Sequence, residues 1–376
     1  MQITRIAAVP VKMPVQVDIA GTGGVEQTIR ACLVRVETSA GLCGHGLTSI
    51  TDEKVVAAAV NDVAGPALVG EDPMNHEALW DRLYWLLCPR GQTGYASHAI
   101  AALDIAFWDI KGKALGQPVW RLLGGARARV PVYATFGFDF LDRGMLAQAA
   151  AVLSGQGYRH LKMVVGHQAL QRRDRGGPSL DEIIAEDERR VRAVREAVGD
   201  AAEIYIDANC SLDAFHAQRL ASRLSDCRIA FFEEPVTHND IPAMADLRQR
   251  CGIAVAAGQN EGLAFRFRDM LVHRAVDFIQ PNVVIGGGYT QCVRIAGLAS
   301  AFNVPITNGG AFPLHNMHLH AGLANGGKVE WHLPTVALMH RLFDGFPEPS
   351  AGWLDLPQAP GLGFEPNGET QERFRG

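Results

Sequence analysis

The sequence has no C-x-x-C pair, no G-x-G-x-x-G opening a helix after a strand, no long apolar run and no basic excess. Each absence excludes something. The seven cysteines (Cys32, Cys43, Cys88, Cys210, Cys227, Cys251 and Cys292) are odd in number and scattered, so neither a disulfide framework nor a zinc knuckle is expected. Free thiols point to a reducing compartment, and the cytoplasm is the expected location. No stretch approaches the roughly 18 apolar residues of a membrane helix. The longest apolar reach, Ala96 to Trp108, contains His98 and Asp104 and reads as a buried helix. The N-terminus, MQITRIAAVPVKMPVQ, has no apolar core of signal-peptide length. Lys plus Arg number 35 against 40 for Asp plus Glu, a net charge of -5, which argues against a nucleic-acid surface. The missing glycine fingerprint argues against a dinucleotide site.

What is present is 376 residues, enough for about two domains or one barrel with an addition. Residues 1–50 alternate β-branched runs with glycine turns. Ile3 to Lys12 and Arg30 to Glu37 read as strands, with Ser39-Ala40-Gly41 as a turn. Ala99, Ile100, Leu103, Ala106, Phe107 and Ile110 give the apolar stripe of one packed helix. Residues 1–125 are therefore expected to form a small α+β domain. From Val130, short apolar strands alternate with amphipathic helices. The candidate strands are Pro131–Ala134, His160–Val164, Glu203–Ile206, Ile229–Phe232, Ile253–Ala256, Asp277–Ile279, Val304–Thr307 and Lys328–Trp331. Eight such units imply an α/β fold of the TIM-barrel type over residues 126–339. The Pro- and Gly-rich tail, about 340–376, is expected to cross back over the first domain. His167 to Leu180 reads as an extended loop at the barrel mouth, and Asp18 to Gly24 as a glycine-rich lid.

Polar residues at the C-terminal ends of barrel strands face the active-site mouth. The third and fourth strands end in Asp207-Ala208-Asn209 and Glu233-Glu234-Pro235, and 26 residues, one repeat, separate Asp207 from Glu233. Two carboxylates at one level on adjacent strands call for a cation, and hard oxygen ligands suit Mg²⁺. A further repeat of 26 lands on Gln259, with Glu261 two residues on. A third carboxylate neutralises the ion better than an amide, so Glu261 is the expected third ligand.

These residues carry a resemblance. Ala101-Ala102-Leu103-Asp104-Ile105-Ala106-Phe107-Trp108-Asp109-Ile110-Lys111-Gly112-Lys113 with Leu122-Leu123-Gly124-Gly125, the two acidic motifs, and Pro360-Gly361-Leu362-Gly363 resemble the enolase superfamily, within it the mandelate racemase and muconate-lactonising group. The resemblance covers nearly the whole chain. It implies a capping domain, a modified (β/α)7β barrel, Mg²⁺, and abstraction of the proton α to a carboxylate to give a metal-held enediolate. A Lewis acid stabilises charge where it develops on the carboxylate oxygens.

The pattern then breaks. The resemblance leads to a Lys-x-Lys pair on the second strand, but Leu161-Lys162-Met163-Val164 has Val164 in the second place. The alternative, a His after the seventh strand with an Asp after the sixth, meets Gly309 and Asn282. Lys162 and His315 are the expected proton-transfer residues, His315 because a helix N-terminus keeps an imidazole neutral. Glu330, Asn282 and His45 are the expected substrate contacts. One-sided chemistry suits dehydration of a hydroxy acid, such as a sugar acid or small dicarboxylate. A racemase, epimerase or cycloisomerase is the enzymatic alternative, and a non-catalytic metal- and ligand-binding barrel the alternative of another class. A small carboxylate substrate and self-association are expected; nucleic-acid and membrane partners are not.

Overall fold

The computed structural model describes residues 1–19, 21, 23–88, 94–167, 169–172 and 176–374. Strand β1 (Ile3–Asp18) pairs antiparallel with β2 (Gly24–Thr38), both longer than their apolar runs suggest, and β2 pairs with β3 (Cys43–Ser49). Along β1, Val11, Met13, Val15 and Val17 alternate inward at the period of two that a half-covered sheet requires. Helix α1 (His76–Leu87) and the long α2 (Tyr95–Leu115) follow. Helix α2 lies directly on β3 because Gly44 and Gly46 carry no Cβ, which would collide with the Ala106 and Ala102 carbonyls. The apolar stretch 96–108 is thus a buried helix of the kind its His98 and Asp104 suggest, and no helix among the described residues is long and apolar enough to cross a membrane.

The second unit is a parallel barrel. Its strands β4 (Arg129–Gly137), β5 (His160–Val164), β6 (Glu203–Asp207), β7 (Ile229–Glu233), β8 (Val255–Ala257), β9 (Phe278–Ile279) and β10 (Val329–His332) pair in the order β10-β4-β5-β6-β7-β8-β9. The expected strand Val304–Thr307 is reduced to one bridge between Ile306 and Ile279. Pro305 has no N–H to give to a ladder. Closure is completed by Asn308, whose N–H donates to the Lys328 carbonyl at 2.9 Å and whose side chain accepts from the Glu330 N–H at 3.0 Å. Tyr205 stacks on Phe231 at 4.1 Å and meets Tyr133 edge-on, filling the barrel with aromatic surface.

The first unit clamps one barrel segment, residues 284–290, a loop that runs into the first turn of the helix Gly288–Ala301. Thr48 Oγ1 donates to the Val284 carbonyl at 2.5 Å and touches His98 Nδ1. Trp80 Nε1 donates to the Gly287 carbonyl at 2.8 Å. Asp104 accepts from the Thr290 N–H and hydroxyl at 3.0 and 2.5 Å. The tail returns across α2, where the Leu362 N–H donates to Asp109 at 2.9 Å and Lys113 pairs with Glu365 at 2.6 Å. Ala20 and Thr22 of the expected lid, and Gln168 and residues 173–175 of the expected access loop, lie outside the described residues.

Asp104 gives a pH prediction. Burial raises its carboxyl to about 7, against the opposing bonds from Thr290. The folded state therefore holds this proton more tightly than the unfolded chain. Stability on this account is greatest below the ordinary aspartate range and is lost as pH rises toward 7. Asp104→Asn is expected to flatten that part of the stability curve, as read by urea midpoints across the acid range; a parallel offset at every pH would refute the titration.

Candidate active site

The strand ends converge on one buried charge cluster. Asp207 and Glu233 are register partners across β6 and β7, and Lys162 on β5 reaches both, its Nζ lying 3.0 Å from Asp207 Oδ2 and 2.8 Å from Glu233 Oε1. Glu330 on β10 closes the ring at 2.9 Å from the same ammonium and accepts from Thr135 Oγ1 at 2.6 Å and the Ala311 N–H at 2.7 Å. Burial disfavours the Lys162 charge, but Asp207, Glu233 and Glu330 outweigh it and hold the amine well above the ordinary lysine range. In this metal-free arrangement Lys162 is accordingly a counter-ion to three carboxylates. Burial and the neighbouring Asp207 push the Glu233 carboxyl far up, whereas Lys162 keeps Glu330 below its ordinary value against the effect of burial.

Three carboxylates around one ammonium cannot all stay ionised without a further cation, which is why the Glu233 carboxyl is pushed up. Moreover, Glu233 Oε2 is buried with no hydrogen-bond partner among the described residues. An orphaned carboxylate oxygen beside a second carboxylate fits a divalent cation, because Mg²⁺ takes one or two carboxylates and completes its shell with water and substrate oxygens. The expected third ligand, Glu261, does not join Asp207 and Glu233. Its N–H turns back to the Gly258 carbonyl at 3.0 Å, and its carboxylate goes to Arg266 and Asn239 at 3.1 Å each, away from Asp207. Gln259 occupies the position instead, its amide 3.3 Å from Asp207 Oδ2 and 3.1 Å from Glu234 Oε2.

A cavity of about 360 Å³ opens above the cluster, within the range of small-molecule sites. Lys162, Val164, Asp207, Gln259 and Glu330 form its floor, while Gln27 and Ile50 of the first unit help form its wall. Val164, two residues beyond Lys162 on the same strand face, does line it, so an aliphatic side chain stands where the resemblance led to a lysine base. A Cβ on Gly309 would stand 2.7 Å from Gln280 Nε2 and 3.0 Å from Glu233 Oε1, so Gln280 fills the space the alternative His would need.

Three other expectations are corrected by placement. His315 is wholly buried: its ring packs edge-on against Phe364 at 5.3 Å and Phe343 at 6.0 Å, and burial lowers its pKa to about 3. The helix start that was to face the mouth is roofed by the tail. His45 sits in the joint between the first unit and the tail, 3.3 Å from Glu365 and 3.9 Å from Asp109, and does not line the cavity. Asn282 holds the wall rather than the cavity, its Nδ2 donating to the Gly309 and Gly310 carbonyls at 2.8 Å each.

Two imidazoles absent from the expected set line the cavity, His167 and His332. His167 follows β5 and stands 3.9 Å from Asp139. A second cavity of about 760 Å³ shares His167 and Asp139, but its other charged groups are engaged, in the pairs Arg143–Glu186 and Arg190–Asp187 and in the helix caps made by Asp142 and Glu182. His332 ends β10 two residues after Glu330, and that spacing on a strand was the signal available in the sequence.

An α+β cap over a parallel barrel with acidic strand ends defines a class of capped barrels. Residues 2–124 match the family described as mandelate racemase / muconate lactonizing enzyme, N-terminal domain, and residues 144–370 match enolase C-terminal domain-like. The chain belongs to the enolase superfamily, in the mandelate racemase and muconate-lactonising group. It is 29% identical to arabinonate dehydratase of Saccharolobus solfataricus, over 92% of this chain and 91% of that one. It is 32% identical to 3,6-anhydro-alpha-L-galactonate cycloisomerase of Streptomyces coelicolor, over 80% of this chain and 79% of that one. A racemase from Streptomyces coelicolor A3(2) solved with bound magnesium superposes with a TM-score of 0.86 at 28% identity, covering 99% of each chain.

Proposed function

We propose that this chain is a Mg²⁺-dependent hydro-lyase that removes water from a sugar acid or related hydroxy acid. The observation that carries the reading is the gathering of three buried carboxylates, Asp207, Glu233 and Glu330, around one ammonium beneath the cavity, with one imidazole–carboxylate pair, His167 and Asp139, at its wall. Asp207 and Glu233 would hold the ion, and Gln259, whose amide N–H donates to Asp207 and Glu234 here, would present its oxygen only with the amide turned over. A divalent cation bound there supplies a Lewis acid for the substrate carboxylate.

His167 takes the proton α to that carboxylate, with Asp139 available to stabilise the imidazolium that forms. The C–H electron pair becomes the enediolate, then the C=C bond as the β-hydroxyl departs as water, taking from the His167 imidazolium the proton it has just acquired. The enol so formed tautomerises to a 2-oxo acid. Glu330 orients substrate hydroxyls, and Lys162 keeps the floor from accumulating more negative charge than the ion offsets. Asn282 holds the Gly309–Gly310 wall.

Dehydratases and cycloisomerases both occur among the relatives. Both products can arise from the same first step, followed by loss of a different β-oxygen, hydroxyl or ring ether. Among the described residues lining the cavity, His167 and Asp139 form the one imidazole–carboxylate ion pair, an arrangement that suits one-sided elimination better than racemisation. Sugar acids incubated with the Mg²⁺-loaded protein in D₂O and followed by NMR are expected to yield a 2-oxo acid. α-Deuteration without loss of water would sink the dehydratase reading, and inertness toward every acid would favour the binding barrel. His167→Asn is expected to lower kcat by about 10²- to 10⁴-fold; undiminished turnover would remove it as the base.

A further inference from the structure

His332 is placed by two contacts that together determine what it can do. It closes β10 and serves as N-cap of the next helix, α3 (Leu333–Leu342), with its Nδ1 accepting the Thr335 backbone N–H at 3.3 Å. A backbone N–H can only donate, so Nδ1 carries no proton and the neutral ring bears its hydrogen on Nε2. Phe138 meets the ring edge-on with centroids 5.2 Å apart, fixing its plane. The half-buried ring lines the cavity with Phe138, Thr135 and Thr335, on the strand face shared with Glu330.

We infer that His332 is a substrate-orienting residue, a neutral imidazole locked in the Nε2–H form that donates a hydrogen bond to an oxygen of the bound hydroxy acid. The inference rests on the hydroxy-acid reading of this cavity and adds a specificity element to it. The ring cannot serve as the base. Its basic lone pair is committed to the helix N-terminus, and burial, working against the favourable pull of Glu330, lowers its pKa to about 4. What it can offer is a directed donor, preorganised by a cap that the helix needs in any case. The polar groups of the floor are chiefly acceptors, so a substrate hydroxyl or carboxylate oxygen with a lone pair to spare finds a complementary partner at His332. The same site leaves that donor unpaired by a substrate lacking the oxygen, which costs the analogue affinity.

Two measurements test this, and the first needs no substrate. In long-range ¹H–¹⁵N spectra of the histidine-labelled protein, with His332 assigned by difference from His332→Asn, the resonances are expected to report an unprotonated Nδ1 and a protonated Nε2 from about pH 5 to pH 9. An Nδ1–H pattern, or a charged ring within that range, overturns the inference and leaves the dehydratase reading standing. The second uses the same variant kinetically. Asn is a good N-cap, so His332→Asn keeps the helix start while losing the reach of the imidazole. It is expected to fold with an unchanged thermal midpoint, raise KM, and lower kcat/KM by about 10²-fold. A merely structural His332 would leave KM at the parent value, and that result also overturns the inference. Should no acid be turned over, the dehydratase reading falls by itself. The donor is then judged with D-gluconate and Mg²⁺ as the probe, by whether the Nε2 resonance moves on addition or stays in place.

Discussion

Lys162→Met is expected to cost the metal-free protein about 3 to 5 kcal/mol of stability, the range for removing one partner of a buried ionic network. The loss comes from what remains. Asp207, Glu233 and Glu330 are each within 3.0 Å of the Lys162 ammonium, and all are buried, so removing that charge leaves three carboxylates facing one another without a cation. Methionine keeps the length and apolar stem, which isolates the charge from the packing. Divalent ions should rescue this variant more than the parent, since ligand binding stabilises by mass action and the variant site carries one more uncompensated charge. Urea denaturation of the stripped protein, with and without Mg²⁺, reads both effects. An unshifted midpoint in the metal-free variant would show that the cluster is not the ionic centre its distances describe.

The second large effect concerns the ion itself. Asp207→Asn and Glu233→Gln are each expected to weaken Mg²⁺ binding by about 100-fold or more, because each removes a carboxylate from a site that has only two to offer. Glu261→Gln serves as the internal contrast. Its carboxylate is spent on Arg266 and Asn239, so calorimetric titration should return the parent affinity. Loss of binding in Glu261→Gln together with retention in Glu233→Gln would reverse the assignment of the floor.

Much of this was legible in the chain because a barrel repeats. Asp207 and Glu233 each end an apolar run one repeat apart, and that arithmetic alone makes them neighbours; in the structure they are register partners. The same arithmetic pointed to Gln259, and the preference for a third carboxylate overrode it wrongly. Nothing local in the sequence says that Glu261 sits past a tight turn at Gly258, whose φ of 123° only glycine adopts readily. His315 was misread for a different reason. Helix-start rules assume that the first turn faces solvent or a mouth, whereas Phe343 and Phe364 come from the tail, far away in sequence. His332 could have been read from its spacing to Glu330. Gln280 could not, since its place beside Glu233 depends on the missing side chain at Gly309.

The clamp on residues 284–290 bears on any attempt to exchange specificity between relatives. Thr48, Trp80 and Asp104 all grip this loop, and Asn282, just upstream, carries the Gly309–Gly310 wall beside Gln259. A chimaera that takes its N-terminal unit from one parent and its barrel from another therefore inherits two halves of a mating surface cut for different counterparts. Crossover points should be chosen so that the loop travels with the cap. Otherwise the misfit reaches the cavity floor through Asn282, which does not itself line the cavity.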